Sequence, residues 1–298
     1  FGRIIDYFHQ EYADGRTPNP CVRCNDWLKF GKLHDYARQI DADIVASGHY
    51  ARVTEGVHGQ PQLRCGRDAN KDQSYVLFGV PKDRLVHMML PIGEYETKSE
   101  VRALADEMGL PVFDKPDSQE ICFVPNQDYA GFLERRDPEL SQQGDILDRD
   151  GNVVGSHDGQ HRFTLGQRRG VGVALGYPIY VVDKNPQTNT VTIGSKDELM
   201  SMSCACGEAN WLVTQQHDGS WRPCMARHRY NSEAVLAQYR VLSDAEDGTS
   251  SHSGRSGRFE IRFDEPQLAV TPGQALVVYD ADETDLVLGG GWIETVDG

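Results

Sequence analysis

Leu33-His34-Asp35-Tyr36-Ala37-Arg38-Gln39-Ile40-Asp41-Ala42-Asp43-Ile44-Val45-Ala46-Ser47-Gly48 changes its periodicity halfway along. Leu33, Tyr36, Ala37 and Ile40 fall at i, i+3, i+4 and i+7, one face of a helix. Ile44, Val45 and Ala46 then form a short apolar run closed by glycine, the pattern of a buried parallel strand. A helix feeding such a strand is an α/β unit. Further along, Thr97-Lys98-Ser99-Glu100 is a capping box, and Val101, Leu104, Ala105 and Met108 give the expected buried stripe of a second helix. Gly109, with Pro111 beyond it, marks that helix's stop.

From about residue 144 the pattern becomes short and alternating. Asp150-Gly151 is a hairpin turn signal, and Ile179 to Val182 is expected to pair with Val191 to Ile193 across a polar loop. Phe259-Ile261-Phe263, Ala275 to Tyr279 and Leu286 to Leu288 read as strands separated by Pro266, Thr271-Pro272-Gly273 and Gly289-Gly290-Gly291. This spacing favours a small barrel or sandwich. Ser243 to Gly257, rich in Ser, Gly and Asp, reads as a surface loop.

The 298 residues exceed one average domain of about 150 residues, so two or three are expected. Hydrophobic residues at 39% and charged residues at 25% describe a folded chain, and no apolar run is long enough to span a bilayer. A net charge of −15 argues against a wholly basic surface gripping nucleic acid, so a polyanion would have to meet a local patch. Seven cysteines, an odd number without a signal peptide, point to a reducing cytoplasm rather than a secreted disulfide framework. The chain opens on Phe1, with Ile4, Ile5, Tyr7 and Phe8 already in a periodic pattern, so a preceding N-terminal portion is expected.

The sharpest chemical feature is Thr17-Pro18-Asn19-Pro20-Cys21-Val22-Arg23-Cys24-Asn25. Two prolines fix an extended entry to a CxxC, and Arg16, Arg23 and Lys29 nearby would favour thiolate, the form that attacks electrophiles, binds metals or exchanges disulfides. Catalytic or redox thiols, a metal ligand pair and two inert thiols all fit this pattern. Cys122, in Asp117-Ser118-Gln119-Glu120-Ile121-Cys122-Phe123, reads by itself as a buried structural thiol. Cys204 and Cys206 lack a His pair at finger spacing, although a structural zinc site joining them to Cys21 and Cys24 is a rival. Gly48-His49-Tyr50 lies at a strand's carboxyl end, where open α/β sheets place ligands, and a satisfied interior histidine is the alternative for His49. Lys71-Asp72-Gln73-Ser74 and Phe163-Thr164-Leu165-Gly166-Gln167-Arg168-Arg169-Gly170 suit phosphate contacts but are equally ordinary turns.

Taken together, Gly15-Arg16-Thr17-Pro18-Asn19-Pro20 with Cys24-Asn25, Gly48-His49-Tyr50, Lys71-Asp72-Gln73-Ser74, Ile121-Cys122-Phe123, Thr164-Leu165-Gly166-Gln167-Arg168, Thr271-Pro272-Gly273-Gln274 and Leu288-Gly289-Gly290-Gly291 resemble, in order and across nearly the whole chain, the tRNA-specific 2-thiouridylases. The resemblance implies an α/β plus β architecture in three parts. These are an adenine-nucleotide alpha-hydrolase-like α/β domain over 1–122, a small central β-rich tRNA-binding domain over 123–203 and a C-terminal β-barrel over 204–298. It implies 2-thiolation of the tRNA wobble uridine: ATP, with Mg2+, adenylates the C2 oxygen, and a cysteine persulfide delivers sulfur as AMP leaves. Cys122 matches the persulfide carrier, and Cys24 matches its partner, which attacks the persulfide to liberate sulfide or resolves the sulfur bond, leaving a Cys24 to Cys122 disulfide. By the same match Gly48 contacts ATP, Asn19, Pro20 and Cys21 touch the target base, and Lys71, Asp72, Gln73, Arg229 and Tyr230 meet tRNA. The implied partners are tRNA and a sulfur-donor protein of a persulfide relay, with no membrane.

Two departures from the family pattern matter. Position 21 is often Asp in the family and is Cys21 here, so a [4Fe-4S] cluster on Cys21, Cys24 and Cys122 is an alternative to the persulfide relay. The family's Ser-Gly-Gly-x-Asp-Ser phosphate loop is nowhere in the sequence. Gly48 alone then makes an incomplete nucleotide site, and the chain by itself is expected to be inactive. A noncatalytic tRNA-binding remnant is the rival from a different class.

Overall fold

The computed structural model describes residues 1–115, 121–216, 218–242 and 257–297. The chain opens with helix α1 (Gly2–Ala13), which buries Ile4, Tyr7, Phe8 and Tyr12. It then passes through the short α2 (Pro20–Arg23), a π-helix (Cys24–Lys32) and α3 (Leu33–Gln39), which form one nearly continuous rod. Strand β1 (Val45–Ala46) follows, then the antiparallel hairpin of β2 (Ala51–Glu55) and β3 (Pro61–Cys65), then β4 (Met88–Met89). β1 and β4 pair in parallel, as the apolar run before Gly48 leads one to expect. Helix α4 (Lys98–Glu107) carries the expected cap: Thr97 Oγ1 accepts from the Glu100 amide at 3.3 Å.

The burial expected of these two helices does not hold. Of the α3 stripe only Ala37 is covered, while Tyr36 and Ile40 are more than half exposed, and α4 buries no residue, with Met108 65% exposed. A 3.6-residue period marks a face suited to burial, but among the described residues only Ala37 of the α3 stripe joins a core and no residue of α4 does. The parallel sheet of this region has only two strands where such sheets are ordinarily covered on both sides.

Helix α5 (Tyr129–Arg136) leads into a four-stranded sheet of β5 (Gly144–Leu147), β6 (Val153–His157), β7 (Tyr180–Asn185) and β8 (Thr190–Gly194), in the order β6-β5-β8-β7. The Asp150-Gly151 turn is present, held by the Asp148 carboxylate accepting from the amides of Asp150 and Asn152. Val181 pairs with Ile193 as expected. Ile146, Val181, Val191 and Ile193 fill this sheet's core together with Phe163.

The remaining strands are β9 (Met200–Trp211), β10 (Arg222–Arg227), β11 (Val235–Val241), β12 (Phe259–Leu268), β13 (Ala275–Tyr279) and β14 (Val287–Asp297). They close a barrel in the order β10-β11-β12-β9-β14-β13. Phe259, Ile261 and Phe263 alternate into its interior beside Cys204, Cys206 and Cys224. β13 is buried along its whole length because it is covered twice. Leu276 and Val278 join the barrel interior, while Ala275, Val277 and Tyr279 join Tyr7, Val22, Phe30 and Phe78 in a core shared with the α/β part.

Gly289-Gly290-Gly291 is not the separator expected from the sequence but the interior of β14. A Cβ on Gly290 would lie 2.4 Å from the Leu276 carbonyl oxygen and 2.9 Å from the Phe78 ring. The glycines let the α/β part lie directly on the barrel backbone. Residues 243–256 of the expected surface loop lie outside the described residues.

Candidate active site

A cavity of about 440 Å³ opens where the α/β part, the segment around Cys122 and the barrel meet. Asn19, Pro20, Cys21 and Cys24 line it from the helical rod, and Cys122, Gln73 and Tyr230 line the rest. Two thiols far apart in sequence thus share one space.

Each is placed by identifiable contacts. The Asn19 side chain caps α2 by accepting from the Val22 amide at 3.4 Å, and Pro20 takes the first helical position, where its missing N–H costs nothing. The barrel grips the entry to this turn. Thr17 N donates to the Pro272 carbonyl at 3.1 Å, and Gln274 Nε2 donates to the carbonyls of Thr17 and Pro18 at 3.0 and 3.3 Å. Gly273, at φ +87°, passes so close that a Cβ would lie 3.0 Å or less from Glu11, Arg16 and Thr17. Thr271-Pro272-Gly273-Gln274 thus has a role that its local sequence does not announce, beyond the glycine and amide placed directly before a strand.

On the opposite wall, Ile121 and Phe123 flank Cys122 and pack against a cluster built on Phe8. The Phe123 ring meets Phe8 edge-on at 5.3 Å. The switch from polar to apolar at Ile121 is therefore an anchor, and Cys122 is exposed rather than the buried structural thiol that its local sequence suggests. Asp117, Ser118, Gln119 and Glu120 lie outside the described residues.

The expectation that three cations favour thiolate is only partly met. Arg16 binds Glu11 and Asp14. Arg23, 2% exposed, makes a bidentate pair with Glu208 at 2.9 and 3.0 Å and lies against Tyr7, Trp27 and Trp292. Lys29 is the one of the three that lowers the thiol pKa values. Burial nonetheless raises Cys24, with Lys29 opposing it and Cys122 adding to it. Cys21, exposed at the cavity mouth yet with protein crowded around its sulfur, is raised by desolvation and by Cys122 and Cys24, against Lys29. The π-helix explains why Lys29 reaches the cavity. Its wider turn brings a residue five positions on from Cys24 back to the same side, and such turns are rare outside functional sites.

His49, for which the sequence leaves both a ligand-side and an interior role open, is both buried and part of the cavity lining. Lys29 Nζ stands 3.4 Å from His49 Nε2, and His49 Nδ1 is 2.7 Å from Ser47 Oγ. Burial and the Lys29 charge bring its pKa down to about 4, so the ring is neutral near pH 7, accepting from Lys29 and donating to Ser47. Gly48 itself does not line the cavity. A Cβ there would meet only Ile92, at 3.8 Å, so its backbone is open to close approach at the end of β1.

The other expected contact residues divide. Gln73 lines the cavity and ties it to the Gly48-His49-Tyr50 segment, its Oε1 accepting from the Tyr50 amide at 3.0 Å. Asp72 is turned inward, accepting from the amides of Gly66 and Ser74, from Ser74 Oγ and from Arg227 Nη1. Lys71 sits on the preceding turn, its amide bonded to the Asp68 carbonyl. Arg229 Nη2 donates to the Ala269 carbonyl at 2.6 Å, whereas the Tyr230 ring lines the cavity and meets Tyr75 edge-on at 5.9 Å. The loop at Thr164 to Arg169 is closed on itself through Gln167, which accepts from Thr164 N and donates to Arg169 O.

All seven cysteines are free thiols. Among the described residues, no group of three or more His, Cys, Asp or Glu side chains is arranged to hold a metal ion. Cys21, Cys24 and Cys122 are thus not gathered as ligands of a single metal ion. The zinc alternative fails for a clearer reason: Cys204 and Cys206 are buried inside the barrel, where desolvation pushes the Cys206 thiol well up, while Cys21 and Cys24 face the cavity. Among the described residues no helix is long and apolar enough to cross a membrane.

Residues 2–126 match the family pattern of the tRNA methyl transferase HUP domain, residues 130–195 that of the tRNA methyl transferase PRC-barrel domain, and residues 201–293 that of the aminomethyltransferase beta-barrel domain. The tRNA-specific 2-thiouridylase MnmA of Rhodopirellula baltica is 45% identical over 98% of this chain and 70% of its own length. The proteins of the same name from Halothermothrix orenii and Salinibacter ruber are each 42% identical, over 98% and 99% of this chain and 76% and 74% of their own lengths.

Proposed function

The chain belongs to the tRNA-specific 2-thiouridylase family, and from that premise we propose that it transfers sulfur to C2 of a tRNA wobble uridine through Cys122 and Cys24. The observation that carries this reading is the meeting of those two thiols on one cavity. A tRNA-binding remnant would have no use for a second thiol facing the first, so the same observation favours the catalytic reading over that rival.

The chemistry follows from the groups at hand. ATP, bound with Mg2+ beside Gly48, converts the C2 oxygen to an adenylate, a far better leaving group. The outer sulfur of a Cys122 persulfide, loaded by a sulfur-donor protein, attacks C2 and AMP departs. Cys24 then attacks Cys122 Sγ, the bond between that atom and the transferred sulfur breaks, and thiouridine leaves a Cys24–Cys122 disulfide behind.

Asn19, Pro20 and Cys21 meet the extruded base, Tyr230 offers it a stacking surface, and Lys71, Gln73 and Arg229 serve the neighbouring RNA. Asp72 serves that surface indirectly, by holding the turn that presents Lys71 and Gln73. A reducing cytoplasm suits three free cavity thiols.

The test is genomic replacement of Cys24 or Cys122 by Ser in the native host, with mass spectrometry of tRNA nucleosides. Each variant eliminates 2-thiouridine while the purified protein still binds tRNA. Normal thiolation in either variant refutes the assignment.

A further inference from the structure

Three thiols line the cavity, and the chemistry above uses two. Cys21 is exposed and lies three residues before Cys24 on the turn of α2. The Cys24 amide donates to the Cys21 carbonyl, which closes that turn. Side chains at i and i+3 of a helical turn stand about 5–6 Å apart at Cβ, a small adjustment from the separation of a disulfide. Cys122 lines the same cavity as Cys21 and Cys24. It therefore stands beside both ends of the bond that sulfur transfer leaves behind.

We propose that Cys21 is a resolving thiol, which returns Cys122 to service by exchange with the Cys24–Cys122 disulfide. The proposal rests on the reading given under Proposed function. The Cys21 thiolate attacks Cys24 Sγ, the Cys24–Cys122 bond breaks, and its electron pair leaves on Cys122 Sγ. One disulfide is exchanged for another, so this step consumes neither oxidant nor reductant. Cys122 is then a free thiolate, ready for the next sulfur, and an external dithiol reductant restores Cys21 and Cys24. The local disulfide lies within the turn of α2 and leaves no covalent link across the cavity.

The experiment uses the purified chain alone, oxidised by oxidised dithiothreitol, quenched in acid, alkylated and digested with trypsin. Cleavage after Arg23 separates Cys21 from Cys24, so each disulfide gives a distinct pair of linked peptides. The wild-type chain accumulates the Cys21–Cys24 pair over Cys24–Cys122 by about tenfold, equivalent to about 30 mV, with Cys122 alkylated. Cys21→Ser and Cys21→Ala both stop at Cys24–Cys122, and Cys122→Ser still forms Cys21–Cys24. A wild-type chain that retains Cys24–Cys122 with Cys21 alkylated overturns the resolving role and leaves the two-thiol reading intact. Failure of the Cys21 variants to form Cys24–Cys122 overturns both. Iron and sulfide bound to all three thiols after anaerobic purification likewise overturns both.

Discussion

Replacing Glu208 by Ala removes the acceptor from a guanidinium that is almost fully enclosed. The Arg23 side chain is 2% exposed and that of Glu208 11%, so little water is available to take over the two charge-assisted bonds. Arg23 Nε already lacks a partner, and the three rings around the group, with Trp292 at 4.0 Å, offer only partial compensation. Breaking a buried pair from one side costs about 3–5 kcal/mol, and with those rings retained the expectation is about 3 kcal/mol. Glu208 also sits at φ +48° inside β9, beside the register shift between β9 and β14, a backbone conformation that disfavours side chains by about 1 kcal/mol. Glu208→Gly therefore loses the same pair but relieves that strain, and should fall about 1 kcal/mol short of Glu208→Ala in its damage. Urea unfolding followed by tryptophan fluorescence reads both, since Trp27 and Trp292 flank Arg23. Because Arg23 lies directly before Cys24, iodoacetamide should also reach Cys24 faster in either variant. Glu208→Ala within about 1 kcal/mol of wild type, or Glu208→Gly no better than Ala, would defeat the argument that the strand is bent to hold the thiol-bearing turn.

Three further outcomes follow from the same geometry. Gly290→Ala forces a Cβ against the Leu276 carbonyl and the Phe78 ring, and should cost about 1–3 kcal/mol in the same unfolding experiment. Lys29→Met removes the cation that lowers Cys21 and Cys24, so alkylation of Cys24 near pH 8 should slow, with Lys29→Arg retaining most of the rate; an unchanged Met variant contradicts the assignment. The native state holds His49 and His228 at about 4 while the unfolded chain titrates near 6.5. Between those values the unfolded state binds more protons, so stability declines as pH falls from 6.5 toward 4, and His49→Asn should flatten that slope in thermal melts.

The strands of the barrel were legible because one face of each is buried and the other wet, which writes an alternation such as Phe259-Ile261-Phe263 directly into the chain. The α3 and α4 stripes were legible as helix faces and misleading as core, since periodicity reports a surface fit for burial and not the element that covers it. Gly289 to Gly291 were misread for a related reason. Glycine breaks strands by its freedom, but here it is required by the approach of Phe78 from another part of the chain. In the site, CxxC and its entry prolines were plain from local sequence. The fate of Arg23 was not, because its partner Glu208 lies far along the chain in the barrel. The pairing of Cys24 with Cys122 came only from the ordered set of motifs, and local sequence pointed the other way for Cys122.

The barrel and the helical rod share one interior, with Phe78 lying against Gly290 and Trp292 over Arg23. Swinging the barrel to close the far wall around an incoming nucleotide would open that shared interior to water, so the movement is costly. On the proposed reading the deformation falls to the nucleic acid, which must unstack a pyrimidine and thread it inward. An already splayed hairpin loop does so at little cost, whereas a paired stem must first be melted, and the stiffness of the protein thereby becomes a source of selectivity.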